Sequence, residues 1–197
     1  MGWRMKKIET KIERINMNAT NVNYAIFGGG CFWCIEAVLQ RINGVLTVES
    51  GYANGHAKEP NYRDVCKGDS GYAEVVKVGY DPEIISYEDL LLIFMTSHDP
   101  TSLNQQGADR GTQYRSGIYY ENDAQKETAE LVVKELTAHY SSTIVTEIEP
   151  LRNYFVAEEY HQNYYNQNSS AGYCRVVIEP KINKLRAMFS DKLKKTV

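Results

Sequence analysis

Two hydrophobic periods run along this chain. Tyr24, Ala25, Ile26 and Phe27 form a short apolar run that stops at Gly28-Gly29-Gly30, as expected for a buried strand feeding a tight turn. From residue 31 to 42 the period lengthens. Phe32, Ile35, Val38, Leu39 and Ile42 share one stripe, with Gly44 just beyond, so a helix is expected there. Residues 45–52 read as a strand, a polar loop runs through Pro60, and a short helical turn is expected over 62–65. Residues 72–80 alternate well enough for a long strand closed by Asp81-Pro82.

Ser86 and Asp89 form a capping-box-like start before the apolar run 90–94, and that helix should end near His98-Asp99-Pro100. A polar loop is expected over 105–111, a strand over 114–120, an amphipathic helix over 123–140 and a strand over 144–148. The Tyr- and Asn-rich stretch 151–174 should hold a short helix over 157–165, and Pro180 opens a last helix to about 193. The order β-α-β-β-α-β-α-β predicts an α+β fold. Its form would be a two-layer α/β sandwich with a ferredoxin-like (α-β plait) core and a mixed, mainly antiparallel sheet. Neither a repeat nor a composition break divides the chain. One catalytic domain is expected over 21–197, preceded by an N-terminal extension over 1–20.

Composition narrows the function. Of 197 residues, 22 are Lys or Arg and 25 Asp or Glu, a net charge of −3. That balance argues against a nucleic-acid binder, which usually carries a basic face. No apolar run approaches the ~18 residues of a membrane span, and no secretory signal pattern opens the chain. Cysteines number only 4, too sparse for a disulfide framework, so a reducing cytoplasm is expected. Tyr outnumbers Phe by 15 to 5, so much of the aromatic surface carries a hydroxyl.

The sharpest local signal is Gly28-Gly29-Gly30-Cys31-Phe32-Trp33-Cys34. It sets Cys31 at a helix start, where unpaired N–H groups and the dipole favour an anion and should lower the thiol pKa. Cys34 lies one turn on. Such a pair suits thioredoxin-type exchange, metal binding or simple packing. Zinc is disfavoured because Cys66 and Cys174 are remote and no His lies close to either. No metal and no cofactor are expected.

Several separated motifs identify what the pair alone leaves open. Gly30-Cys31-Phe32-Trp33, Gly71-Tyr72-Ala73-Glu74-Val75-Val76, His98-Asp99-Pro100, Asp109-Arg110-Gly111-Thr112-Gln113-Tyr114-Arg115-Ser116, Ala157-Glu158-Glu159-Tyr160-His161-Gln162 and Gly172-Tyr173-Cys174 occur in this order. The chain resembles peptide methionine sulfoxide reductases of the A type from about Tyr24 to the final helix. The resemblance implies reduction of methionine-S-sulfoxide, free or in proteins, by a monomeric enzyme. Cys31 would be the nucleophile that becomes a sulfenic acid. Glu74 matches the family's acid, and a proton donor near neutral pH needs the raised pKa that burial gives. Tyr62 and Tyr114 match its oxygen-binding phenols, Asp109 a second acidic position, and Phe32 and Trp33 the walls of its S-methyl pocket. Taken singly, these residues read as solvated or packing side chains. His161 reads as a structural histidine and Cys66 as a buried spectator thiol.

The sulfenic acid would condense with a second thiol. Many members of the family carry Gly at the Cys34 position and use a cysteine near the C-terminus. Cys174, in a glycine-flanked polar segment, is therefore the expected resolving residue, with Cys34 as the alternative. Thioredoxin would reduce the disulfide. Tyr72 departs from the family's usual His, which bears on the rim of the site or its pH response, and Glu59-Pro60-Asn61-Tyr62 replaces Asn-Pro-Thr-Tyr. Two rivals are a general dithiol–disulfide oxidoreductase built on Cys31 and Cys34, and a non-catalytic module whose aromatic pocket binds methionyl peptides.

Overall fold

The computed structural model describes residues 21–195. The N-terminal extension expected over 1–20 lies outside the described residues. Six strands make the main sheet: β1 (Asn23–Gly28), β2 (Val45–Ala53), β3 (Ala73–Tyr80), β6 (Gly117–Tyr120), β7 (Glu147–Pro150) and β8 (Tyr154–Val156). Their order is β7-β6-β1-β3-β2-β8. All pairings are antiparallel except β6 with β7. A mixed, mainly antiparallel α/β fold is therefore present.

The central strands are buried on both faces. On one side the helices α1 (Phe32–Leu39), α3 (Tyr87–Ser97), α4 (Asp123–Leu136) and α6 (Glu179–Met188) pack into the large core. On the other, Ile26, Ala53, Ala73, Val75 and Tyr119 form a smaller cluster covered by Leu151 and Tyr154. Ala37, Val38 and Leu39 of α1 have no exposed surface. Fully burying a side chain such as Leu39 contributes about 1.5–3 kcal/mol. The expected Ser86 cap forms, its Oγ accepting the Asp89 N–H at 3.0 Å, and Asn61 Oδ1 accepts the Asp64 N–H at 3.1 Å to start α2 (Tyr62–Val65).

Three expectations need correction. The polar loop over 105–111 contains a small hairpin, β4 (Gln105–Gln106) with β5 (Asp109–Arg110), turning at Gly107. It is too short to show a period. The strand expected from 114 begins only at Gly117. Thr112–Tyr114 is a 3-10 turn whose N–H groups at Tyr114 and Arg115 bond back to Gly111 and Thr112. The helix expected over 157–165 is instead a 3-10 turn Glu159–His161 and α5 (Tyr164–Gln167), following β8. It breaks at left-handed Asn163, whose N–H donates to the Glu36 carboxylate at 2.7 Å. Ahead of α6, Cys174–Ile178 winds as a π-helix. Local periodicity cannot foresee such long-range ties.

Candidate active site

The strand β1 ends at a glycine turn that presents Cys31. Gly30 has φ +85°, and a Cβ there would sit 2.6 Å from Gln106 of the hairpin, so only glycine fits this close approach. Cys31 is the N-cap of α1 and is 8% exposed; Cys34, one turn on, is 2% exposed. The two thiols interact directly, and Cys34 Sγ lies 3.7 Å from the Tyr173 hydroxyl.

The expected low pKa of Cys31 is not present in this state. Burial raises it well above the ordinary thiol value, the Cys34 contact adds to that, and the Glu74 charge adds again. The helix N-terminus that should have stabilised the thiolate is already occupied. The Phe32 N–H donates to Glu74 Oε2 at 3.1 Å. Cys34 is brought down to about 7 by its hydrogen bond with Cys31, against burial and with help from Lys181.

Glu74, on β3, is 1% exposed. Burial pushes its carboxyl up to about 8 against the Phe32 hydrogen bond, and the Asp109 and Cys34 charges push the same way. It is an acid at neutral pH. Tyr62, at the start of α2, and Tyr114, at the end of the 3-10 turn, are half-buried. Burial first, and the Glu74 charge among further causes, holds both phenols well above their ordinary range, so they stay neutral donors. The acid, both phenols and the cysteine turn therefore share one region.

Carboxylates fix the surrounding frame. Glu158 accepts the Tyr62 N–H at 2.8 Å and the Tyr52 hydroxyl at 2.7 Å. Glu36, 1% exposed in α1, accepts the N–H groups of Asn163 and Tyr164 at 2.7 and 3.1 Å. That tie lays Tyr164 flat on Trp33, with ring centroids 3.6 Å apart and planes within 7°. Phe32 packs on Tyr52 and on His161, at 5.9 and 5.0 Å. His161 is buried among Phe32, Trp33, Tyr62 and Tyr160, and neither ring nitrogen has a partner among the described residues. Burial lowers its pKa, which keeps it neutral.

A second face of the cysteine pair opens on a cleft of about 340 Å³ lined by Cys31, Cys34, Asp109, Tyr173 and Lys181, among others. Asp109, on β5, accepts the Tyr173 hydroxyl at 2.8 Å. Cys174 has no exposed surface, and burial, then the Cys34 charge, raises its pKa. Cys66 is exposed rather than buried: it caps the short α2, which leaves it at the surface. Tyr72 is buried away from the rim, its hydroxyl donating to Ala57 O at 2.6 Å. Sequence reasoning missed Tyr173, Glu36 and Glu158. Each lies inside or beside a motif already singled out, and that position was the available signal.

A paired thiol at a glycine-turned helix start, beside a buried protonated carboxyl, defines a thiol oxidoreductase site. The family model for peptide methionine sulfoxide reductase matches residues 23–193, and the chain belongs to that family. A peptide methionine sulfoxide reductase from Deinococcus radiodurans is 53% identical over 172 residues, 86% of this chain and 84% of that protein. The reduced form of Mxr1 from Saccharomyces cerevisiae superposes with a TM-score of 0.73 at 36% identity, covering 80% of this chain and 91% of that one. Mxr1 in complex with Trx2 superposes at 0.52 with 26% identity, over 75% and 87%. The chain is accordingly an enzyme that reduces methionine sulfoxide through its thiols.

Among the described residues no helix is long and apolar enough to cross a membrane.

Proposed function

We propose that Cys31 is the nucleophile and Glu74 the acid of methionine-S-sulfoxide reduction. The thiolate sulfur attacks the sulfoxide sulfur while the Glu74 carboxyl gives its proton to the sulfoxide oxygen. The S–O bond then breaks, the oxygen passes to Cys31 as a sulfenic acid, and methionine leaves, reduced by two electrons. Tyr62 and Tyr114 donate to the same oxygen while remaining neutral. Phe32 and Trp33 wall the S-methyl pocket, and Asp109 supports the acid side of the site. The observation that carries this reading is the contact between Glu74 Oε2 and the Phe32 N–H, one residue beyond the nucleophile. Protonating Glu74 removes the negative charge that opposes ionisation of Cys31, so the acid and the thiolate favour one another.

The sulfenic acid then condenses with Cys174, which shares a core with Cys31 and Cys34. Cys34 is the second candidate, supported by its direct contact with Cys31. Mass mapping of the disulfide formed in one turnover without reductant separates them. Reduction by a thioredoxin-type dithiol is supported by the complex of Mxr1 with Trx2. Resolved S and R sulfoxides of a blocked methionine, with dithiothreitol, test the whole reading. Turnover of the S epimer is expected; turnover of the R epimer alone would overturn it.

The finer fold reading is a ferredoxin-like plait, supported by the antiparallel order β6-β1-β3-β2 with α1 and α3 as its crossovers. A single catalytic domain over 21–197 is supported by one large core that joins all the main helices. A cytoplasmic location fits its four unpaired thiols, and a monomeric state is tested by sedimentation in reducing buffer.

A further inference from the structure

We propose that Tyr173 is a positioning residue for disulfide formation: its hydrogen bond to Asp109 latches the C-terminal segment over the cysteine pair and keeps Cys174 sealed until it opens. The inference rests on Cys174 being the resolving thiol.

Tyr173 has a single hydroxyl proton, and Asp109 Oδ2 takes it at 2.8 Å. The same oxygen lies 3.7 Å from Cys34 Sγ, and the ring stands edge-on to Trp33 with centroids 6.0 Å apart. One side chain therefore ties the segment to the hairpin, to the thiol pair and to the pocket wall. The next residue, Cys174, has no exposed surface, whereas Val176 is 76% exposed. On the other side, a Cβ on Gly172 would meet no heavy atom within 4 Å, so little packing opposes rotation there. Beyond the latch, Cys174–Ile178 is a π-helix, a winding that is rare and collects at functional sites. Sealed side chain, open flank and unusual winding meet at the residue that Tyr173 pins.

Opening the latch exposes the Cys174 sulfur to Cys31. The S–O bond of the sulfenic acid breaks as the S–S bond forms. Cys174 supplies the electron pair, and its proton leaves with the hydroxyl as water. In the closed state Cys31 is protected from premature pairing with Cys174.

Two measurements on the full reduced chain test this. In the first, the four cysteines are alkylated and quantified separately by mass, with exposed Cys66 as internal reference. Losing a charge-assisted hydrogen bond should raise Cys174 labelling relative to Cys66 by about tenfold in Tyr173→Phe. Asp109→Ala, which removes the acceptor, should raise it similarly. In the second, rapid quench after one equivalent of sulfoxide should show faster disulfide formation in Tyr173→Phe. The acceleration should vanish in Tyr173→Phe/Cys174→Ser. Unchanged Cys174 labelling in both single variants overturns the latch, as does increased labelling with no faster disulfide. Cys174→Ser forming a full intramolecular disulfide at the wild-type rate overturns the resolving assignment instead.

Discussion

The start of α1 and the segment from Tyr154 to Ile178 meet at the same site but are built differently. The first is regular: strand, glycine turn and helix, with its helix packed in apolar core. The second is irregular, a succession of short turns tied down by Glu36, Glu158 and Gln162. The regular part holds reacting atoms in place, and the irregular part can be rearranged by breaking a few polar contacts. Apolar packing gives alignment here, and hydrogen bonds to the Glu36 and Glu158 carboxylates give conditional order.

The contrast breaks most severely at the nucleophile. Cys31→Ser should abolish methionine formation, a loss above about a thousandfold by methionine release assay, without moving the urea midpoint. Next comes the acid. Glu74→Gln should slow the methionine-forming step about 10²–10⁴-fold in rapid-quench assays. The wild-type step should decline as pH rises through about 8, where Glu74 loses its proton, and the variant should lack that limb. The stability sign runs the same way. Glu74 in the folded chain keeps its proton between its ordinary value of 4.5 and about 8, so its contribution to stability falls as pH rises across that window. Glu74→Gln should flatten this slope in urea titrations at pH 5 and 9.

On the irregular side the effects are smaller and fall on stability. Glu36→Ala leaves the part-buried N–H groups of Asn163 and Tyr164 without their acceptor and should cost about 1–3 kcal/mol, read as a lower urea midpoint with the Cys31-dependent chemistry retained. Tyr164→Ala removes the stack on Trp33, worth about 0.5–1.5 kcal/mol beyond area, and should show chiefly as a raised KM. If Glu36→Ala and Tyr164→Ala reduced the chemical step as much as Glu74→Gln, the division between the two regions would not hold.

Legibility in the sequence follows the same division. The strands β1, β2 and β3 and the helices α1 and α3 are written in local periodicity and caps, and they were readable. The hairpin β4–β5 and the π-helix are too short to show a period, and the break at Asn163 is tied to Glu36, 127 residues before it, which no window of sequence contains. At the site, the family motifs pointed to the residues, and physical reasoning foresaw the raised pKa of Glu74. The ionisation of Cys31 was misread because a free helix N-terminus was assumed. A carboxyl from another strand fills it.

One short helix carries the proposed nucleophile, Cys31, at its cap, Trp33 two residues on, and Glu36 three further. The spacing from the Cys31 sulfur to Trp33 is then set by covalent geometry and a rise of about 1.5 Å per residue. Heating that loosens the surrounding turns leaves this spacing intact. Thermal inactivation should therefore strike recycling first: a warmed enzyme would still deliver its first equivalent of methionine while losing the capacity for a second.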